Sequence, residues 1–232
     1  MLNPDLNKNQ PLRHRQIWIE PTFIDSVQNL NLFSQHEQEY ITNWISKKKA
    51  FVGRSLATYN FVDSKIIPVG LMAYISDKSK KRLNLLIQKN SIQEIREPLL
   101  LQEVLDFLRG KQICEIEYLL NSFKEYPTTF RVYGSLFWSY QDKKNHMTEN
   151  SDIDLLIQFN KFFDPLNLSQ HLIKLSEKMS IRLDGEFEIS KGTSVSWREF
   201  ASNSQILLVK SDLGPCLKRR DEVLEQLYAT FS

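Results

Sequence analysis

The stretch that decides the fold, residues 130–159, reads FRVYGSLFWSY, then the polar segment QDKKNHMTEN, then SDIDLLIQF. The first segment predicts a short apolar strand, residues 130–133, which leads into Gly134 and Ser135. Glycine lets a backbone come close to a ligand, and the free N–H groups at the start of the next helix favour phosphate. A Gly-Ser pair alone is typical of any turn, but in this position it predicts a phosphate cradle.

The last segment predicts a second strand that carries two carboxylates. Because successive side chains on a strand point to opposite faces, Asp152 and Asp154 share one face. The apolar residues of the other face supply the burial: Ile153, Leu155, Ile157 and Phe159. Two adjacent carboxylates repel each other unless a cation lies between them, and their oxygens suit Mg²⁺ or Mn²⁺. The pair beside a phosphate cradle predicts phosphoryl or nucleotidyl transfer.

The ordered set of strand, Gly-Ser, short helix, loop and Ser-Asp-x-Asp resembles the nucleotidyltransferase fold of polymerase-beta-like enzymes. That fold adds a third acidic residue on a later strand, and the strictly alternating segment IRLDGEFEI, residues 181–189, predicts such a strand. Asp184 or Glu186 would complete the metal site, and Asp184 is preferred. The resemblance implies an α+β fold with a C-terminal mixed sheet flanked by helices.

Composition and charge limit the class of protein. The chain has 232 residues, of which 41% are hydrophobic and 25% charged, as is usual for a globular protein. A net charge of +2 argues against a nucleic-acid partner, so any phosphate recognition must be local. Cys114 and Cys216 lack metal-ligand spacing and are interpreted as free thiols. Since no secretory signal or membrane-spanning run is visible, the sequence predicts a cytoplasmic protein with no membrane partner.

The pattern of apolar residues predicts two domains. Residues 1–92 are expected to form a small α+β domain with a helix at 35–45 and a basic loop at 78–82. Residues 93–232 are expected to form the catalytic domain. Its predicted elements after the boundary are a helix from Pro98 to Gly110, a helix at 115–123, a helix beginning at Asp164-Pro165, a hairpin ending at Trp197, a strand at 205–210 and a helix beginning at Pro215.

Several short motifs surround the two strands. They are Gly134-Ser135, Ser151-Asp152-Ile153-Asp154, Asp184-Gly185-Glu186, Trp197-Arg198-Glu199, Val209-Lys210 and Gly214-Pro215. Together they resemble the malonate decarboxylase holo-acyl-carrier-protein synthases, which are phosphoribosyl-dephospho-CoA transferases. The resemblance covers residues 130–217 and extends more thinly to 52–54 and 67–71. It departs at residues 72–74, Met-Ala-Tyr, where that family tends to carry arginines, and this departure affects the expected role of the N-terminal domain in binding substrate or carrier protein.

The resemblance implies a reaction. The 2′-(5″-phosphoribosyl)-3′-dephospho-CoA group would move from its triphosphate precursor to a serine of the apo acyl carrier protein subunit of malonate decarboxylase, and pyrophosphate would leave. Asp152 and Asp154 would hold Mg²⁺ or Mn²⁺, while Asp184 or Glu186 would complete the site and accept the serine proton. Gly134 and Ser135 would cradle phosphates, and the candidate cations for the triphosphate are Arg131, Arg182, Arg198 and Lys210.

Two alternatives stay open. An ATP-dependent adenylyltransferase acting on a small molecule or a protein would use the same fold, although the motifs from Asp184 onward favour the carrier-protein synthases. A binding module built on a decayed nucleotidyltransferase domain would need no catalytic carboxylates. Both Asp152 and Asp154 are present, which disfavours that reading.

Overall fold

The computed structural model describes residues 12–55, 65–76, 79–148 and 151–231. It has an α+β fold, as the sequence predicted, with one sheet in each of two compact units. The first unit spans Met1–Glu97 together with Asp212–Gly214, and the second spans Pro98–Ser211 together with Pro215–Ser232. No helix in the described ranges has the length and apolar character needed to cross a bilayer.

The N-terminal unit contains a five-stranded antiparallel sheet in the order β4-β3-β2-β1-β5. Its strands are β1 (Gln16–Ile19), β2 (Phe51–Gly53), β3 (Ile66–Ser76), β4 (Ser79–Gln88) and β5 (Ile92–Arg96). Helix α1 (Gln35–Ser46) confirms the helix predicted at 35–45, and Ile41, Trp44 and Ile45 are its buried apolar residues. Short 3-10 helices cover Pro21–Ser26, Leu30–Leu32 and Lys89–Ser91.

The predicted basic loop at residues 78–82 is wrong for its described part. Residues 79–82 begin β4, whose hairpin with β3 pairs Lys81 with Ala73 and Arg82 with Met72. Leu83, Leu85 and Ile87 of the same strand are fully buried, so the alternating pattern continues back through the charged residues, which are exposed. Residue 78 lies outside the described ranges.

The C-terminal unit contains a seven-stranded mixed sheet in the order β12-β11-β10-β9-β8-β7-β6. Its strands are β6 (Leu99–Leu100), β7 (Thr128–Tyr133), β8 (Ile153–Phe159), β9 (Leu183–Ser190), β10 (Thr193–Ser196), β11 (Ile206–Ser211) and β12 (Gly214–Arg219). Strands β8 and β9 are parallel, whereas β7 and β10 run antiparallel to their neighbours. The helices are α2 (Lys111–Ser122), α3 (Gly134–Asp142), α4 (Pro165–Ser176), α5 (Trp197–Ala201) and α6 (Arg220–Ala229).

Burial along β8 follows the alternation of the sequence except at Leu156, which is buried on the other face. Ile153, Leu155 and Ile157 of β8 are fully buried, as predicted. Helix α4 begins as predicted, because the Asp164 carboxylate accepts a hydrogen bond from the backbone N–H of Leu166. The buried residues of its apolar face include Leu168, Leu172 and Leu175. Apolar burial of this kind holds the strands that carry the candidate site.

Two predicted helices are wrong. Pro98 does not begin an α-helix, because Leu99 and Leu100 pair with β7 and a 3-10 helix, Leu101–Phe107, follows. Pro215 lies in β12, and α6 begins only at Arg220. β12 is the last strand of the sheet, so the N–H group that proline lacks is not needed for a neighbour on the outer side.

Candidate active site

Three adjacent strands bring predicted site residues to one end of the C-terminal sheet. Tyr133 on β7 lies opposite Asp154 on β8, and Asp154 lies opposite Asp184 on β9. Because β8 and β9 are parallel neighbours, the backbones of the two aspartates are about 5 Å apart. Asp154 is half-buried and Asp184 is exposed. The register therefore joins two of the three carboxylates that the sequence predicted for the metal site.

Gly134 lies directly against Asp154. It begins α3 immediately after β7 and has a φ of 67°, in the left-handed region that favours glycine. A Cβ atom at this position would lie 1.8 Å from Oδ2 of Asp154. No other residue fits there unless the carboxylate or the backbone moves. The glycine of the Gly-Ser pair therefore lets the start of α3 approach the carboxylate.

The start of α3 provides donors beside that carboxylate. Its N-cap residue, Tyr133, makes no side-chain capping bond, and the first N–H groups of a helix have no partner inside the helix. Ser135 adds a hydroxyl in the first turn of this nine-residue helix. Such N–H groups favour phosphate oxygens. Gly134 and Ser135 thus lie in the first turn of α3, and the phosphate cradle proposed for them stays a prediction.

Gly185, in the Asp-Gly-Glu motif, gives β9 a similar close approach to β8. Its φ is 145°, and a Cβ atom there would lie 2.0 Å from the backbone oxygen of Leu155. Leu155 follows Asp154, and Gly185 follows Asp184. The two aspartates are thus flanked by two glycines, each of which removes a side chain that would push the strands or the helix away.

Asp152 immediately precedes β8 and pairs with Arg182, which immediately precedes β9. The Nε atom of Arg182 donates a hydrogen bond to Oδ1 of Asp152. This bond and the charge of Asp152 raise the pKa of Arg182. The Arg182 side chain is 71% exposed and that of Asp152 is 32% exposed, so solvent screens the pair. Asp152, one of the predicted metal ligands, therefore already has a cationic partner.

Glu186, the alternative third carboxylate, occupies a different environment from Asp184. It lies opposite Leu156, two residues further along β9, and its side chain is only 5% exposed. Oε2 accepts a hydrogen bond of 2.5 Å from the Ser194 hydroxyl, and Oε1 lies 2.8 Å from Nζ of Lys210. Glu186 is thus a buried carboxylate held by a hydroxyl and a lysine.

The predicted phosphate-binding cations do not all lie in one place. Nε of Arg131 donates to Oε1 of Gln158 at 2.5 Å, and its Nη1 donates to the backbone oxygen of Pro98 at 2.6 Å. These bonds join β7 to β8 and to the residue that precedes β6. Arg198 donates from Nη2 to the backbone oxygen of Leu183, next to Asp184, at 2.7 Å. Arg198 therefore lies near the aspartates, while Arg131 has structural partners.

Glu115 of α2 positions the residues before β9, a role that no pattern in the sequence predicts. Its carboxylate accepts hydrogen bonds from the N–H and the hydroxyl of Ser180, both at 2.9 Å, and from the N–H of Ile181 at 3.2 Å. Burial raises the pKa of Glu115, but these hydrogen bonds outweigh it and the pKa is lowered. The residues that lead into Asp184 are therefore held by a charge from α2.

The donors near Asp154 fit a hard cation that also binds substrate. In the ranges that the structure describes, no three His, Cys, Asp or Glu side chains converge as a ready-made metal cluster. Mg²⁺ commonly takes one or two protein carboxylates and completes its shell with water and substrate phosphates. Asp154 and Asp184 provide two carboxylates, and the start of α3 provides a phosphate site beside them. The chemistry of this donor set suits Mg²⁺ or Mn²⁺.

Comparison with known proteins gives one consistent result. Residues 100–221 match the family model described as phosphoribosyl-dephospho-CoA transferase MdcG C-terminal domain. A protein of Bradyrhizobium diazoefficiens named phosphoribosyl-dephospho-CoA transferase is 29% identical over 132 residues, which are 57% of this chain and 58% of that protein. A protein of Xanthomonas axonopodis pv. citri with the same name is 26% identical over 58% of this chain and 63% of its own length.

These matches have a limited extent. The chain spans about three-fifths of the length of these curated relatives, 58% and 63%. No solved structure matches the chain. The matched family segment includes the three strands, the two glycines and all the predicted carboxylates described above.

Proposed function

Since the chain belongs to the phosphoribosyl-dephospho-CoA transferase family, we propose that it transfers the 2′-(5″-phosphoribosyl)-3′-dephospho-CoA group from its triphosphate precursor to a carrier-protein serine. The proposed acceptor is the apo acyl carrier protein subunit of malonate decarboxylase, and pyrophosphate is the leaving group. The family match and the names of the relatives support the transferred group. The acceptor is proposed from the resemblance of the motifs.

One observation carries the proposal: Asp154 and Asp184 stand opposite each other on parallel strands, and Gly134 leaves no side chain between α3 and Asp154. Carboxylates and the first N–H groups of α3 thus meet at one end of the sheet. A phosphate held by the N–H groups of α3 would lie beside Asp154, whose partner on the next strand is Asp184. This is the arrangement that displacement at phosphorus needs, because such catalysis depends on positioning and on charge stabilisation.

In the proposed reaction, the carrier serine oxygen forms a bond to the α-phosphorus of the triphosphate. The bond between the α-phosphorus and the bridging oxygen to the β-phosphate breaks, and pyrophosphate leaves with that oxygen. The serine proton passes to the carboxylate of Asp184, which is exposed and so accessible to an incoming hydroxyl. Gly134, Ser135 and the start of α3 hold phosphate oxygens, and Arg198 adds positive charge beside Asp184.

We propose that Asp152, Asp154 and Asp184 hold Mg²⁺ or Mn²⁺. When bound, such an ion neutralises charge on the phosphates and stabilises the leaving oxygen. Binding at Asp152 would require its carboxylate to share or give up Arg182. The released guanidinium would then be able to pair with a phosphate.

The N-terminal unit has no assigned chemistry, and we propose that it binds substrate or carrier protein. We also propose that the protein acts in the cytoplasm. These two proposals rest on the sequence, and the transfer assay described below does not test them.

Intact-mass analysis of the carrier protein tests the proposed reaction. Apo carrier protein, Mg²⁺ and the triphosphate precursor are incubated with the protein or with its Asp154→Asn variant, and a parallel tube contains ATP in place of the precursor. We expect a mass gain equal to the phosphoribosyl-dephospho-CoA group with the wild type and none with the variant. A gain equal to AMP in the ATP tube would identify the adenylyltransferase alternative. An unchanged carrier mass in both tubes would contradict the proposal.

A further inference from the structure

We infer that Glu186 is a positioning residue that holds Lys210 as a binding site for the polyphosphate part of the substrate. Glu186, Ser194 and Lys210 are called the Glu186 cluster. The inference rests on the proposed transfer reaction and deepens it, because it assigns residues to the phosphates that leave. It also separates the roles of Asp184 and Glu186, which the sequence left as alternatives.

The Glu186 cluster lies next to the paired aspartates on the same sheet. Asp184 and Glu186 are two residues apart on β9, which places them about 6–7 Å apart along the strand. Lys210 on β11 lies opposite Ser194 on β10. Its side chain therefore reaches over β10 to meet Glu186 on β9. A phosphate chain that begins beside Asp184 can extend along the sheet toward Lys210.

Both oxygens of Glu186 are in use. Oε1 lies 2.8 Å from Nζ of Lys210, and Oε2 accepts a 2.5 Å bond from the Ser194 hydroxyl. A buried carboxylate requires such donors, since an unpaired charge in the interior is strongly destabilising. Glu186 is thus arranged as a buried counter-ion, whereas Asp184 is exposed beside Asp154. This difference assigns the third carboxylate of the metal site to Asp184.

Lys210 is the accessible member of the Glu186 cluster. Its side chain is 40% exposed, compared with 5% for Glu186. An ammonium group has three N–H donors, and the bond to Glu186 uses one of them. A lysine that is already fixed loses less side-chain entropy when it binds a ligand than a freely rotating one does. Glu186 therefore makes Lys210 a better phosphate-binding group without contacting phosphate itself.

Calorimetric titration with inorganic pyrophosphate in Mg²⁺ buffer tests the cluster without any carrier protein. We expect Lys210→Met to weaken binding at least tenfold. Glu186→Gln keeps the shape of the side chain but removes its charge. We expect this variant to bind pyrophosphate about three- to tenfold more weakly than the wild type. The matched control is Lys178→Met, which removes an exposed lysine of the same unit and is expected to bind within twofold of wild type. Equal binding by Lys210→Met and wild type, or no binding by wild type, would overturn the inference.

Folding is controlled with a second variant. Lys210→Met leaves a buried carboxylate without its lysine and is the variant at risk of unfolding. The double variant Glu186→Gln/Lys210→Met has no unpaired buried charge. We expect its affinity for pyrophosphate also to fall at least tenfold. Circular dichroism melting shows that each variant is folded before its titration is interpreted.

A metal titration separates a positioning role from a ligand role. With saturating pyrophosphate, Mn²⁺ affinity is measured by electron paramagnetic resonance for Glu186→Gln and Asp184→Asn. We expect Glu186→Gln to bind Mn²⁺ within twofold of wild type and Asp184→Asn to lose at least tenfold. An equal loss in both variants would identify Glu186 as a metal ligand and overturn the inference.

The failure of this inference is distinguishable from the failure of the proposed function. In the transfer assay, Glu186→Gln is expected to raise KM for the triphosphate with little change in kcat, because its effect is on ligand binding. Wild-type protein that binds pyrophosphate through Lys210 but modifies no carrier protein would remove the proposed reaction and leave the phosphate site intact. Normal transfer by a wild-type protein whose pyrophosphate binding does not depend on Lys210 would remove the phosphate site and leave the proposed reaction intact.

Discussion

The start of α1 in the N-terminal unit and the start of β8 in the C-terminal unit each carry a carboxylate, but the surroundings of the two carboxylates differ. Glu37 of α1 accepts hydrogen bonds from the N–H and the hydroxyl of Ser34, both at 2.9 Å, and lies 2.5 Å from Nζ of Lys81. The bond with Lys81, then those with Ser34, outweigh burial and lower the pKa of Glu37 to about 2. This carboxylate stabilises the fold.

The carboxylate of Asp154 is surrounded differently. The structural feature beside it is a glycine whose missing Cβ keeps the start of α3 close to Oδ2. Its neighbour across the strands is another acidic residue, Asp184. Like charges placed side by side are unfavourable without a cation. A lysine and a serine that hold a buried carboxylate, as at Glu37, indicate a structural role. A second carboxylate opposite and a glycine at the adjoining helix start, as at Asp154, are the features we expect of a site that binds a ligand.

The largest expected effect comes from Asp154→Asn. The change keeps the size of the side chain but removes its charge, so a cation that it holds would be lost. We expect the rate of transfer to fall about 1,000-fold, which corresponds to about 4 kcal/mol of transition-state stabilisation. The rate is measured as mass gain of the carrier protein with time, and thermal melting is expected to show a folded variant.

Asp164→Asn is the matched control for this change. Asp164 is the N-cap of α4, and asparagine caps a helix about as well as aspartate does. We expect this variant to transfer at the wild-type rate. If Asp154→Asn kept most of the activity, Asp154 would have no major role in transfer and would be a structural carboxylate like Glu37.

The next effect in size is that of Gly134→Ala. A Cβ atom 1.8 Å from Oδ2 of Asp154 forces the carboxylate or the helix start to move. A displacement of about 1 Å at a reacting group commonly costs about 100-fold in rate, and we expect a loss of that order in the transfer assay.

Gly110→Ala is the control for backbone strain. Gly110 also has a positive φ, 47°, but a Cβ atom there would have nothing within 4 Å. We expect this variant to lose about 1 kcal/mol of stability. Its transfer activity should equal that of the wild type. Equal loss of activity in both glycine variants would mean that strain, and not clearance at Asp154, causes the effect.

The core of the site was predictable from the sequence because it depends on local order. The Gly-Ser pair follows a strand, and the alternation of residues 153–159 fixes which face carries Asp154. The same alternation predicted the strand that contains Asp184. The structure contains both strands as β8 and β9, and it adds their parallel pairing and register.

The remaining features depend on contacts between distant residues. Glu115 and Ser180 are 65 residues apart in sequence, and neither lies in a recognisable motif. The Pro98 and Pro215 segments were predicted as helices because proline is frequent in the first helical turn. The Pro98 segment instead forms the two-residue strand β6, which pairs with β7, and then a 3-10 helix, while the Pro215 segment forms β12 at the sheet edge. Local propensity does not contain that information.

A stability measurement tests the structural half of the comparison. Glu37→Gln removes the charge that Lys81 and Ser34 hold, and we expect the free energy of unfolding at pH 7 to fall by about 1–3 kcal/mol. Because folding lowers the pKa of Glu37 from 4.5 to about 2, its contribution is present above pH 4.5 and is lost as pH falls toward 2. Urea unfolding from pH 7 to pH 2 should therefore show the difference between wild type and variant shrinking with acid.

Glu39→Gln serves as the control on the same helix. Glu39 is exposed, and it accepts a bond from the amide of Gln35 at 3.2 Å. We expect no measurable change in stability at any pH. A stability difference for Glu37→Gln that stayed constant down to pH 2 would show that the charge of Glu37 is not what stabilises α1.

The smallest expected effect on stability is that of Arg182→Met, which tests whether the Arg182–Asp152 pair stabilises the fold as the Lys81–Glu37 pair does. Arg182 and Asp152 are paired like Lys81 and Glu37, but the Arg182–Asp152 pair is largely exposed and has no helix cap around it. Solvent and salt screen such a pair, so Arg182→Met should leave the urea midpoint unchanged while KM for the triphosphate rises through the loss of a cation. A lowered midpoint with an unchanged KM would place Asp152 with Glu37 among the structural carboxylates. The proposed metal site would then be reduced to Asp154 and Asp184, whose register on parallel strands comes from backbone pairing and does not involve the Arg182 side chain.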